Sequence, residues 1–260
     1  MLRILKYSFF DLTRSWWNLV YFAFFLLVTF SLLYLSSDLS NAMISLMNII
    51  TILIPLVGTL FGVMHYYNSK EFTELLLAQP IKRKDIFLGQ YLGLAVSLSA
   101  GFIVGLCVPF FMYGIFHSEL FSQFIYLLAT GILLTFTFSS ISFLIALNNN
   151  NKMKGFALAL VFWLFMAIVY DGLFLLLLVQ FDEYPLEKFA LGVSLFNPID
   201  LSRVIIMLKL DIAALLGYTG AVFKLFFGSY TGVILSFSML FVWSVAPILV
   251  TLKVASKKDF

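Results

Sequence analysis

Charge is what this sequence has least of. Only 11% of its 260 residues are Asp, Glu, Lys or Arg, against about 25% in an ordinary soluble domain. Cysteine is nearly absent: the single Cys107 excludes an intramolecular disulfide framework and any cysteine-cluster metal site. No G-x-x-x-x-G-K-S/T run occurs, so the chain lacks the phosphate-cradling loop of a P-loop ATPase. His-Glu-x-x-His, His-x-x-x-His and Cys-x-x-Cys are missing too, and His65 and His117 stand at the ends of apolar runs. Zinc or serine chemistry inside a membrane therefore has no residues to start from. The net charge of +3 is too small to argue for nucleic acid. What fills the chain instead is apolar: 62% hydrophobic residues, with 31 Phe, and a mean hydropathy of +1.05. A soluble protein of this size cannot hide that much apolar surface, and a disordered chain has the opposite composition. The composition predicts an all-α polytopic membrane protein in one domain, residues 1–260.

A helix crosses a bilayer in about 20 apolar residues. Uncharged runs predict six such spans, near 16–36, 43–66, 91–116, 121–147, 155–180 and 230–252, with Asp171 the only formal charge inside one. Charges precede the first apolar run and no small-residue cleavage site follows, so no cleaved signal peptide is expected. Between spans five and six, residues 181–229 are broken by Lys188, Asp200, Arg203, Lys209, Asp211 and Lys224. This outer segment reads as surface helices lying against a membrane face or a partner. Twelve Lys and Arg fall on one side of the six spans: Arg3, Lys6, Arg14, Lys70, Lys82, Arg83, Lys84, Lys152, Lys154, Lys253, Lys257 and Lys258. That side, with both termini, is expected to be cytoplasmic.

Residues 1–15 alternate Leu2, Ile4, Leu5, Phe9 and Leu12 with Arg3, Lys6, Asp11 and Arg14 ahead of Trp16 and Trp17. The pattern predicts either an interfacial helix against membrane lipid or a plain cytoplasmic tail. The loop at 68–85 predicts a short amphipathic helix with Phe72, Leu75, Leu76 and Gln79 on one face and Lys70, Glu71 and Glu74 elsewhere. Glu71 and Glu74 suit its positive end, Pro80 stops it, and a basic knot at Lys82, Arg83 and Lys84 follows. Such a helix either locks into a groove on a soluble partner or is a solvated turn held by anionic headgroups.

In the fifth span, Asp171 beside Tyr170 is either a polar element of a pathway or an interhelical anchor, since a charge at a helix centre costs about 3 kcal/mol. Gly58-x-x-x-Gly62 and Gly101-x-x-x-Gly105 permit close helix approach. Pro55, Pro109 and Pro247 sit inside spans. In the outer segment, Asn197, Pro198 and Asp200 read as a turn capping a helix that contains Arg203, with Asp200 as N-cap; a recognition surface for an outer partner and a lid are both compatible with this. Met43 and Met47, with Met64, His65, Cys107, Met112 and His117, could offer soft metal ligands, but methionine is also a common gap-filler. No metal site is expected.

The six spans, the N-terminal helix and the loop reading Glu71-Phe72-Thr73-Glu74-Leu75-Leu76, then Pro80 and Arg83, resemble the ABC-2 class of ABC-transporter permeases. Phe72 stands where that family usually has Gly. Leu75 to Ile81, Tyr170-Asp171, Phe196 to Asp200 and Gly220 to Phe223 are similar to the NosY-like branch, which serves maturation of nitrous oxide reductase. The resemblance implies a homodimeric, non-catalytic permease of the bacterial inner membrane. It implies a coupling helix (Lys70, Glu71, Phe72, Glu74, Leu75, Leu76, with Pro80 and Arg83) engaging a separate cytoplasmic ABC ATPase that holds ATP and Mg. It implies an outer face (Asn197, Pro198, Asp200, Arg203) meeting a periplasmic maturation protein. The cargo would be a sulfur or copper species, or none if ATP work remodels the partner. An ABC-2 exporter of another substrate and an ATP-independent secondary transporter are the alternatives; the latter would want more intramembrane polar residues and internal repeats than Asp171 alone.

Overall fold

The structure is a computed structural model that describes residues 1–36, 38–180, 187–210 and 230–258, and among these all regular structure is helical. The helices are α1 (Leu2–Thr13), α2 (Trp16–Leu35), α3 (Leu39–Asn68), α4 (Lys70–Leu77), α5 (Arg83–Met112), α6 (Phe121–Asn148), α7 (Lys152–Leu164), α8 (Tyr170–Gln180), α9 (Glu187–Phe196), α10 (Pro198–Lys209) and α11 (Tyr230–Lys257). A π-helical turn, Phe165–Val169, joins α7 to α8. Among the described residues, six helices are long and apolar enough to cross a membrane: α2, α3, α5, α6, the rod Lys152–Phe174 and Gly232–Lys257. The chain is a multi-pass, all-α membrane protein, as its composition predicts.

Helix ends depart from span ends where polar side chains can stay helical in water. The third span is expected from residue 91, but α5 begins at Arg83. Hydropathy marks the part of a helix that lipid covers, not the polar turns that continue it. At its other end α5 stops at Met112, short of the expected 116, because Gly114 takes a left-handed φ of 77° and breaks the helix. Proline residues 55, 109 and 247 lie inside helices. Two of their carbonyls are taken up by hydroxyls one turn on, Thr59 Oγ1 to Pro55 O at 2.6 Å and Thr251 Oγ1 to Pro247 O at 2.8 Å.

The core runs through α2, α3, α5, α6 and α10. Met43 and Met47 are wholly buried in it with Phe102, Phe138, Ile199 and Ile206. They fill space among rings and branched chains, the usual task of this unbranched thioether. Helices α3 and α6 approach closely at Gly62, where a Cβ would stand 1.7 Å from Ser142 Oγ and 2.8 Å from Ser142 Cβ. Along α5 the first two helices climb in register. The Met1 amine lies 3.8 Å from Asp85, Ile4 sits on Gly89 and Ser8 on Gly93, Asn18 bonds Ser97, and Phe25 sits on Gly105. So α1, expected as an interfacial helix or a tail, has its inner face seated on α5. Its outer face exposes Leu2, Arg3, Lys6, Tyr7, Phe10 and Arg14.

The outer segment departs most from expectation. Residues 181–186 and 211–229 of it lie outside the described residues. The α10 within it is not a surface helix: Asn197, Ile199, Leu201 and Ser202 are wholly buried, between α3, α6 and α11. Asn197 Nδ2 donates to Met166 O at 2.8 Å and Trp243 Nε1 donates to Leu195 O at 3.2 Å, both partners lying well inside spans. At its other end, Lys209 sits over the Tyr126 ring at 4.9 Å, near the start of α6. Helices α9 and α10 therefore form a hairpin that dips into the bundle from the end opposite α4.

Candidate functional site

Two groups of predicted residues can be followed into the structure. The first is α4, held between the long helices α3 and α5. Ser69 ends α3 and starts α4, so the two helices meet at a tight corner. Thr73 N and Oγ1 both donate to Ser69 O, at 2.8 and 2.7 Å. The helix stops at Leu77 and turns through Ala78 to Pro80, in keeping with the proline stop.

Its inner face is bolted down. Gln90 Nε2 of α5 donates to Thr73 Oγ1 at 2.8 Å, a buried bond. Leu76 is buried with Ile4 of α1 and Ile86 of α5, with Phe72, Leu77 and Ile81 packed around them. Phe72 stacks on Tyr7 of α1 at 4.9 Å. The outer face carries Glu71, Glu74, Leu75 and Gln79, with Leu75 67% exposed. The expected face is thus corrected: Phe72 and Leu76 point in together with Thr73, while Leu75 and Gln79 point out with the acids. Residues 72, 73 and 76 make the stripe that α1 and α5 cover, and 71, 74, 75 and 78 lie opposite it. Lys70 and Glu74 approach to 3.8 Å, but both are more than half exposed, so the pair contributes little.

Arg83 does not belong to α4 or to a loop. It opens α5, where its Nη1 donates to Lys258 O at 2.8 Å and ties the start of α5 to the end of α11. Lys82 is the residue before that helix, and Lys84 is in its first turn, at the end of the dipole that disfavours cations. Asp85 in the same turn offsets them and meets the Met1 amine. Gln90 and Tyr7 were not singled out from sequence. Gln90, an amide amid an apolar run, was the available signal.

The second group unites residues that the sequence reading kept apart. Tyr170 and Asp171 begin α8. Arg203 Nη1 of α10 stands 2.7 Å from Asp171 Oδ2 and 3.5 Å from Asp200 Oδ1. The side chains of Arg203 and Asp171 are each 25% exposed and that of Asp200 12%. The other Asp171 oxygen, Oδ1, is buried without a hydrogen-bond partner. Tyr170 OH donates to Val193 O of α9 at 2.6 Å. Asn197, not Asp200, caps α10: its Oδ1 accepts from Ile199 N at 3.0 Å and Pro198 takes the first helical position. Proline's fixed φ and missing N–H suit that place, which moves the cap upstream of the expected one. The assignment of Asn197 and Pro198 to a surface for an outer partner is corrected by their burial. Tyr170, Asp171, Asn197 and Arg203 instead clamp the α9–α10 hairpin to the fifth span.

Asn197 also explains how the π-helical turn is tolerated. Such a turn displaces backbone carbonyls from their usual donors, and the Asn197 amide supplies Met166 O with one. Replacing Asn197 with Ala removes a cap, worth about 1 kcal/mol, and the buried bond to Met166 O, worth about 1 kcal/mol. A loss of about 2 kcal/mol should appear as a lower thermal midpoint in detergent. Asn197→Ser keeps the cap alone and should cost about half as much.

Among the described residues no three His, Cys, Asp or Glu side chains stand close enough to share a metal ion. No family model matches the chain. Two curated proteins are similar to it, each named "Probable ABC transporter permease protein NosY". The one from Stutzerimonas stutzeri is 27% identical over 168 residues, 62% of this chain and 61% of that protein. The one from Pseudomonas aeruginosa is 25% identical over 177 residues, 65% of this chain and 64% of that protein. The matched part thus spans less than two thirds of either relative. This multi-pass membrane chain is similar in sequence to proteins named as probable ABC transporter permeases.

Proposed function

We propose that the chain is the membrane-spanning, non-catalytic subunit of an ABC transporter, driven by a separate ATPase that carries ATP and Mg. In this reading α4 is the coupling helix, its end of the bundle lies in the cytoplasm of a bacterial inner membrane, and two copies form the permease. The finer role, copper-site assembly of nitrous oxide reductase through a sulfur or copper species or through remodelling of a periplasmic partner, rests on the sequence resemblance.

The observation that carries the proposal is the division of α4 into two faces. Glu71, Glu74 and Leu75 are exposed at the end that gathers most of the Lys and Arg, the side that stays cytoplasmic. An exposed leucine flanked by carboxylates suits a groove with an apolar floor and a basic rim. The opposite face is fixed to α1 and α5 through Leu76, Phe72 and the Thr73–Gln90 bond. A push on Leu75 is therefore passed to the bundle as a rigid-body shift rather than absorbed by a loose loop.

Co-purification tests this. An ATPase subunit expressed with the tagged chain should be captured by the wild type. Leu75→Glu should reduce capture about tenfold or more and Glu74→Arg by a smaller factor, since truncating a central apolar anchor costs about 2 kcal/mol. Both residues are exposed, so the variants should fold. Full transport by the chain alone in sealed vesicles, without any ATPase, would refute the proposal.

A further inference from the structure

We propose that a cavity between the α1–α2 elbow, α3 and α5 holds the headgroup of an ethanolamine phospholipid. The proposal does not rest on coupling to an ATPase. The cavity has a volume of about 620 Å³. It exists because the chain from Ser8 to Asn18 advances along α5 only from Gly93 to Ser97. The elbow at Arg14 and Ser15 stands away from α5, and the last turn of α3 closes the far side.

Three features define what would fit. First, the rim carries Asp11 and Arg14, both exposed. They lie three residues apart, yet they do not pair with each other or with any other charge among the described residues. Second, the wall is polar and buried. Asn18 and His65 are each 7% exposed, and Asn18 Nδ2 donates to Ser97 Oγ at 3.0 Å. Asn18 Oδ1 and His65 Nε2 are buried behind this wall without a hydrogen-bond partner, so the ionic rim selects the ligand. Third, the cavity lies at the level where the first span begins. Trp17 lines it, and Trp16 and Trp17 are 72% and 58% exposed. Tryptophans in that position mark the headgroup layer of a bilayer.

A ligand for this place needs an anion for Arg14, a cation for Asp11, and a tail that can leave along the apolar outer face of α2. Phosphoethanolamine at the head of a lipid meets all three. Its phosphate matches the guanidinium, and its ammonium has N–H donors for the carboxylate. A glycerol headgroup has no cation for Asp11. A choline headgroup has the charge but no N–H donor.

The purified full-length chain would be delipidated and returned to bilayers of equal phosphatidylethanolamine, phosphatidylglycerol and phosphatidylcholine. Native mass spectrometry would then count the retained lipids. The ethanolamine lipid should exceed each of the others about fivefold, the ratio expected of one partly exposed ionic contact. Asp11→Asn should bring the three lipids to parity, and Arg14→Gln should lower retention of all of them. Equal retention by the wild type, or an ethanolamine preference that survives Asp11→Asn, would overturn the assignment. So would displacement of the retained lipid by soluble phosphoethanolamine added from the water phase, which would make the ligand a free solute.

Discussion

Replacing Arg203 with methionine should destabilise the protein by about 3 kcal/mol. The arginine is the cation that Asp171 and Asp200 share, at 2.7 and 3.5 Å. Methionine keeps much of its volume but leaves the Asp171–Asp200 pair with no positive charge. One of the oxygens, Asp171 Oδ1, already lacks a partner. Breaking a buried ion pair from one side costs about 3–5 kcal/mol because the other charge stays behind, and the partial exposure of Arg203 and Asp171 places this case at the lower end. Asp171→Asn should cost only about 1 kcal/mol, since Arg203 keeps Asp200. Removing all three charges together, as Asp171→Asn, Asp200→Asn and Arg203→Met, should recover most of the loss. Thermal unfolding of the purified chain in detergent gives the ranking. An Arg203→Met variant as stable as the wild type, or less harmful than Asp171→Asn, would contradict the ion-pair account.

The same triad marks where the sequence stopped being legible. Asp171 could be recognised as a costly charge in need of a partner, because it interrupts an apolar run. Its partner could not, because Arg203 lies far along the chain in a segment whose charges read as solvated. Charges announce a surface only when each must find water by itself. Arg203, Asp171 and Asp200 find one another, and so α10 can enter the bundle. The spans themselves were legible for the opposite reason: an uncharged run has few places to go but lipid. The helix α4 was half legible. Its existence follows from the charge pattern and Pro80, but two turns are too short for periodicity to decide which side faces in. The Thr73–Gln90 bond and the Leu76 cluster decide it, and both depend on residues of α1 and α5.

Glycine spacing shows a similar limit, and it leads to the second large effect. Of the two pairs singled out, only one member of each is tightly used. A Cβ at Gly62 or Gly105 would collide, whereas at Gly58 and Gly101 it would meet its nearest neighbours at 3.4 and 3.5 Å. Gly89-x-x-x-Gly93, at the start of α5, is the pair that seats α1. A Cβ at Gly93 would stand 2.5 Å from Ser8 Cβ, 3.1 Å from Phe9 N and 3.2 Å from Leu5 O. These are backbone or backbone-anchored atoms, so rotation of a side chain cannot relieve the overlap, and α1 must move. Gly93→Leu should therefore lift α1 from α5 at a cost of about 2–3 kcal/mol. Because Ile4 and Tyr7 of α1 pack against α4, the inner face of α4 loses its support in the same step. Hydrogen exchange should show residues 2–13 and 70–77 losing protection together, with α3 and α6 unchanged. Gly93→Ala should show a weaker version, and Ser8→Gly in the same chain should reverse much of it by removing the opposing Cβ. If residues 2–13 lose protection while 70–77 keep theirs, α4 does not depend on α1, and the rigid mount attributed to it would have to come from α5 alone.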